Sequence, residues 1–204
     1  MLSFLIPITA LLAAVIIHEC CHGWAAYKLG DPTAKDAGRL TINPLAHVDP
    51  IGTIIVPIGL ALLHSPVVFG WAKPVPINFY NLRNPKRDII WVSLAGPASN
   101  FLAAILISFA VPFVSGIPFL NYLVSSFVLV NLVLAIFNII PVAPLDGSKV
   151  LFGLLPPRYA QFYARLEPYG MILLIALLYL GLAAKIVWPL VSFFSRILGV
   201  NPIL

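Results

Sequence analysis

The chain has 204 residues, of which 61% are hydrophobic and only 9% charged. A soluble domain carries roughly 25% charged residues, so the composition excludes an ordinary water-soluble domain and points to a chain solvated mainly by lipid. The net charge of +5 does not indicate nucleic acid, because the Lys and Arg residues stand singly or in short groups between apolar runs and form no patch suited to a phosphate backbone.

In chain order, Leu2 to Ile17 is an apolar run that continues through HECCHGWAAYKL as one helix over about 2–29, where Gly30-Asp31-Pro32 stops it. The run lacks the basic start of a signal peptide, and cleavage after its paired alanines would leave HECCH at the new N-terminus. It therefore reads as a retained membrane segment. Residues 31–87 form a loop region. A polar, turn-rich part (31–50) is followed by the apolar run Ile51–Leu63, interrupted by Pro57, which is too short to span at about 20 residues per crossing and reads as re-entrant or interfacial. A stretch rich in Pro, Asn and basic residues follows. Within it, Gly70–Tyr80 reads as extended and hairpin-like, with Pro74 and Pro76 leaving one edge able to donate hydrogen bonds. Such an edge suits a substrate added as a strand. Two long apolar runs cover about 88–114, with Gly96-Pro97 inside, and about 122–140. The proline-rich turn PVAPLDGSKV leads into a short helix at about 146–156, and apolar helices occupy about 169–200.

Basic residues cluster at 28–40, 81–87 and 146–166, and the loop around Pro112–Asn121 has none. The positive-inside rule then puts those three stretches in the cytoplasm and the N-terminus outside. The expected fold is an all-α polytopic membrane protein forming a single integral-membrane domain over 1–204.

The chemistry centres on His18-Glu19-Cys20-Cys21-His22. Positions i and i+4 share a helix face, so two imidazoles at that spacing can ligate one Zn²⁺ while the intervening Glu19 serves as base toward a water. A Glu and two His in a membrane segment are costly, roughly 2.5–3.5 kcal/mol for a central charged residue, and a polar trio that merely satisfied itself would not require metal-ligand spacing. Two His need a third ligand, and the candidate is Asp146 in Pro144-Leu145-Asp146-Gly147, which the topology puts on the same side as His22. The alternative for Asp146 is a plain helix N-cap. Asn100, after the Gly-Pro pair, is either a donor to the oxyanion of a tetrahedral intermediate or an interhelical hydrogen-bonding residue. Asn131 and Asn138 share a helical face and read as structural, with a supporting role behind the metal ligands as the alternative. His47 reads as a surface residue beside Asp49, with an extra ligand or proton shuttle as the alternative, and His64 has no supporting pattern. Cys20 and Cys21 are adjacent and not expected to bridge. They read as packing residues.

HECCH, followed over a hundred residues later by NIIPVAPLDG (Asn138–Gly147), resembles the site-2 protease family of intramembrane metalloproteases, peptidase family M50. NPLAHVDPIG (Asn43–Gly52), GWAKPVPIN (Gly70–Asn78), AGPASN (Ala95–Asn100) and NLVLAIFN (Asn131–Asn138) are similar to family blocks and occur in the expected order. The resemblance implies one Zn²⁺ held by His18, His22 and Asp146, with Glu19 as catalytic base, in a three-helix core at about 2–29, 88–114 and 122–140. It further implies an endopeptidase acting on transmembrane proteins or peptides near the cytoplasmic side, in the cell membrane of a prokaryote. At 204 residues the chain has no room for an added PDZ or CBS domain and looks like a minimal member. The competing readings are a transporter built on broken helices and a catalytically silent metal-binding scaffold. Substrate identity and oligomeric state are not legible.

Overall fold

A computed structural model describes residues 2–55, 59, 62 and 73–201. It is all-helical: among the described residues there is no strand. Three long helices form the core: α1 (Leu2–Lys28), α2 (Pro85–Ser108) and α3 (Pro118–Asn138). Four shorter ones follow: α4 (Asp146–Leu154), α5 (Pro157–Ala164), α6 (Gly170–Tyr179) and α7 (Trp188–Ile197). Among the described residues, four stretches are long and apolar enough to cross a membrane: Leu5–Lys28, Pro85–Ser108, Pro118–Asn138 and Pro157–Tyr179. The core helices are apolar on most faces, as expected of helices that meet protein on one side and lipid on the other. Leu5, Ile8 and Leu11 on α1 and Leu102 and Leu106 on α2 point outward, while Ala10, Ala14 and Ala104 are fully enclosed. Small side chains at the contacts let the backbones approach closely.

The boundaries differ from expectation for local reasons. Helix α2 begins at Pro85, not 88. Proline suits the first helical position, where no N–H is needed, and the Asp88 carboxylate accepts the Asn84 N–H at 2.8 Å. It ends at Ser108, and Pro112 sits in a separate turn, Val111–Val114. Helix α3 likewise starts on a proline, Pro118. The C-terminal helices begin earlier than expected, at Pro157. The segment through Tyr179 carries the chain along the bundle to the end opposite the HECCH stretch. There Val187, Val191 and Val200 pack with Ala104, Val111 and Val128, and Phe194 meets Phe101 edge-on at 5.1 Å.

The loop region was expected to be partly hairpin-like. Residues 73–78 carry no ladder, because Pro74 and Pro76 lack the N–H groups a ladder needs. They run beside α1 instead, where the Val75 N–H donates to Glu19, and are tied to the preceding loop: the Lys73 N–H donates to the His47 carbonyl at 2.9 Å, and Arg39 donates to the Lys73 carbonyl at 2.8 Å. Of the Ile51–Leu63 run, Pro50–Ile55 forms a π-helical turn capped by Asp49. Apart from Gly59 and Leu62, the rest of that run, His64 and Gly70–Ala72 lie outside the described residues.

Asp31, read only as part of a stop signal, anchors this region. It is fully buried. Its carboxylate accepts the Thr33 N–H and hydroxyl, the Asn78 N–H at 2.7 Å and the Asn81 amide at 3.0 Å. Burial alone would raise its pKa, but these donors hold it below the usual carboxylate range. A depressed folded-state pKa contributes stability that is present above the unfolded value of about 3.9 and lost as pH falls through the folded one. Asp31→Ala is expected to destabilise the protein by about 3 kcal/mol, since each hydrogen bond to a charged group is worth roughly 1.5–3, and to expose residues 73–84 to limited proteolysis. An unchanged cleavage pattern would refute the anchoring role.

Candidate metal centre

At 1.5 Å rise per residue, His22 lies about 9 Å from the Lys28 end of α1, and His18 one turn deeper. Their rings meet edge-on with centroids 4.6 Å apart. Each ring is held from behind. The His22 Nδ1–H donates to the Val92 carbonyl at 2.7 Å, and a carbonyl can only accept. The His18 Nδ1–H donates to Asn100 Oδ1 at 2.5 Å. The Asn100 amide nitrogen already donates to the Ala14 carbonyl at 3.1 Å and to Asn131 Oδ1 at 2.8 Å, so its oxygen must face His18. Asn131 in turn donates to the Phe127 carbonyl. This chain of bonds fixes both imidazoles with the proton on Nδ1 and the lone pair on Nε2.

The two Nε2 atoms lie 3.0 Å apart, and Asp146 Oδ2 is 3.0 Å from one and 3.1 Å from the other. All three residues are buried. With the Nδ1 protons of both rings committed elsewhere, the two Nε2 atoms and the carboxylate oxygen face one point, an arrangement that a bound metal ion suits. Tetrahedral zinc with bonds of about 2.0–2.1 Å holds its ligand atoms roughly 3.3 Å apart, close to what is seen. Among the described residues this is the only cluster of three or more His, Cys, Asp or Glu with metal-holding geometry.

Asp146 is therefore not the helix cap considered as the alternative. Leu145 occupies the N-cap position without a side-chain bond, and the Asp146 carboxylate turns to the histidines. What brings it there is Gly147, where a Cβ would lie 2.1 Å from the Ile139 carbonyl oxygen. Its absence lets α4 start directly against the end of α3.

Glu19 opens on a cavity of about 210 Å³, together with His18, His22 and Asp146. Its Oε2 accepts the Val75 N–H at 2.8 Å, so the irregular segment 73–78 orients the carboxylate. Val75 was not singled out from sequence, and neither was Gly96. At Gly96 a Cβ would lie 2.4 Å from His22 Nε2 and 2.6 Å from His18 Nε2, so α2 can pass the imidazoles only without a side chain there.

Other expectations change. Asn100 is fully buried behind His18 and does not line the cavity, and its amide protons are taken; the geometry makes it the residue that orients His18, not a donor facing substrate. Asn131 joins the same relay. Asn138 bonds back to the Leu134 carbonyl and borders the cavity. His47 is not a surface residue: it is 1% exposed, and its Nε2–H donates to the Thr41 carbonyl at 2.8 Å. Cys20 also bonds the Thr41 carbonyl, and both cysteines are free thiols.

The family model "Peptidase family M50" matches residues 115–181, a stretch that includes Asp146 but not HECCH. A Bacillus subtilis (strain 168) protein described as a candidate zinc metalloprotease, YwhC, is 34% identical over 194 residues, covering 91% of this chain and 85% of the relative. Rip2 of Mycolicibacterium smegmatis, similarly described, is 28% identical over 207 residues, covering 97% of this chain and 76% of the relative. The zinc metalloprotease MJ0392 of Methanocaldococcus jannaschii is 26% identical over 191 residues, covering 90% of this chain and 45% of the relative. No solved structure matches the chain. With a third of its residues shared over nearly its whole length with such a relative, and with a family model matching the segment that carries Asp146, the chain belongs to peptidase family M50.

Proposed function

We propose that the protein is a zinc endopeptidase of the membrane that hydrolyses transmembrane proteins or peptides near the cytoplasmic side, in the manner of regulated intramembrane proteolysis, in a prokaryotic cell membrane. The observation that carries this reading is the convergence of His18 Nε2, His22 Nε2 and Asp146 Oδ2 at 3.0–3.1 Å beside a cavity that Glu19 also faces. When bound by these three atoms, zinc supplies Lewis-acid polarisation and lowers the pKa of a water toward about 7.

The residues of the chain do the rest. Glu19, held by Val75, takes the proton of the attacking water and delivers it to the amide nitrogen that leaves as an amine. Asn100 and the Val92 carbonyl keep the imidazole lone pairs aimed at the metal. The segment 73–79 forms one cavity wall through Pro74, Val75, Ile77 and Phe79. In this reading it lies beside the unwound substrate, whose scissile carbonyl a helical hydrogen bond would otherwise shield. The positive charge around 28–40 and 81–87 sets the cytoplasmic side. A transporter leaves the three converging lone pairs without a purpose, and a silent scaffold leaves Glu19 without one.

The test is metal content. Purified wild type is expected to carry one zinc per chain, and Asp146→Ala to lose it, with affinity falling by about 10²-fold or more. Stoichiometric zinc in Asp146→Ala would remove the third ligand and with it the site.

A further inference from the structure

Three buried side-chain polar atoms lack any hydrogen-bond partner among the described residues: Arg39 Nε, His47 Nδ1 and Ser93 Oγ. Only Ser93 lines the cavity shared by His18, Glu19, His22 and Asp146. Ser93 is 1% exposed, so bulk water does not satisfy its hydroxyl, and a buried orphan of this kind calls for a functional partner. Its position is specific. It lies one turn before Gly96 on the same face of α2, the face whose missing Cβ admits the two Nε2 atoms, and next to Val92, whose carbonyl holds His22. Pro97, four residues on, supplies no N–H to the Ser93 carbonyl, so the helix ladder is already opened there.

Hydrolysis of an amide passes through a tetrahedral intermediate whose oxygen becomes an anion, and donors aimed at that oxygen contribute most of the stabilisation. Most of the other side-chain and loop donors at this site are committed. The two Nδ1–H groups go to Asn100 and Val92, the Asn100 amide to Ala14 and Asn131, and the Val75 N–H to Glu19. Asn138 gives one amide proton to the Leu134 carbonyl and the Lys149 ammonium lies over the Phe79 ring at 5.6 Å; both side chains are only half-buried, so among the cavity's donors Ser93 is the one enclosed without a partner. We propose that Ser93 is a catalytic residue of the peptidase, its hydroxyl donating to the scissile carbonyl oxygen as that oxygen turns anionic. No bond to Ser93 forms, and its proton stays on Oγ. The inference rests on the peptidase reading and extends it: it assigns to Ser93 the role that the committed Asn100 amide cannot fill.

The experiment compares wild type, Ser93→Ala and Ser93→Thr in detergent or liposomes, with a transmembrane peptide substrate, a phosphinic peptide as analogue of the tetrahedral species, and zinc analysis of each protein. Ser93→Ala is expected to keep its zinc and its KM while kcat falls by about 10²-fold, the usual cost of one oxyanion donor. The phosphinic peptide should bind more weakly by a similar factor, and Ser93→Thr, which keeps the hydroxyl, should retain most of the activity. Unchanged kcat in Ser93→Ala would overturn the proposal. So would a loss confined to KM, a loss that follows loss of zinc, or a Thr variant as poor as Ala. An inactive wild type with zinc bound would refute the peptidase reading itself, and this inference with it.

Discussion

Glu19→Gln is expected to retain one zinc per chain and to lose peptide-bond cleavage, with kcat lower by about 10³–10⁴-fold, the upper range for removal of a general base. The substitution conserves size and removes only basicity. The Glu19 carboxylate is not among the three atoms that converge, so the metal does not depend on it. Its structural bond survives too, because the amide oxygen of Gln can still accept the Val75 N–H that Glu19 now accepts at 2.8 Å. Segment 73–78 therefore stays in place, and the loss reports chemistry, not collapse. Zinc analysis beside cleavage of a transmembrane substrate decides the matter. Retained cleavage would refute the base assignment, and loss of zinc together with activity would mean that Glu19 helps hold the metal.

Gly96→Ala carries the second large effect, although it changes no polar atom. The added methyl would lie 2.4 Å from His22 Nε2 and 2.6 Å from His18 Nε2, inside the space where the lone pairs meet. Neither ring can swing aside cheaply, since each is tied by its Nδ1–H, one to Asn100 and the other to Val92. The backbone of α2 would have to retreat, and interiors packed this closely resist such a shift. Zinc affinity is expected to fall by about 10²-fold or more, beyond the 10–100-fold typical of losing an outer-shell partner, and activity with it. Gly116→Ala serves as the control, because a Cβ there meets nothing within 4 Å. Equal zinc affinity in Gly96→Ala and wild type would show that the site is wider than the geometry indicates.

Several features were legible because they are short-range. The i, i+4 spacing of His18 and His22 is a property of any helix, and Glu19 follows from the same period. The long spans follow from the length of apolar runs. The turn at Pro144–Gly147 marks a helix start, though sequence alone left Asp146 as either a ligand or a cap. Asn100 was picked out for its chemistry with two roles open, oxyanion donor or interhelical hydrogen-bonding residue, and the structure shows the interhelical bonds. Its amide looks free in the sequence; only the approach of Ala14 on α1 and Asn131 on α3 uses up its protons. His47 was expected at the surface because its neighbours are polar, yet residues 41–47 fold against Cys20 and enclose it.

The amino-acid sequence by itself determined a lipid-solvated helical chain with two imidazoles and a carboxylate on one helix face, because hydropathy and helical period act over neighbouring residues. Tertiary structure alone decided that Asp146 meets them at 3.0–3.1 Å, that Gly96 and Gly147 allow this meeting, and that Val75 and Asn100 orient Glu19 and His18. It also left the Ser93 hydroxyl unpartnered at the cavity. These are distances between segments up to 128 residues apart. They are set by how closely α1, α2 and α3 pack and by the path of the loop pinned at Asp31, and no local pattern in the chain encodes such a distance.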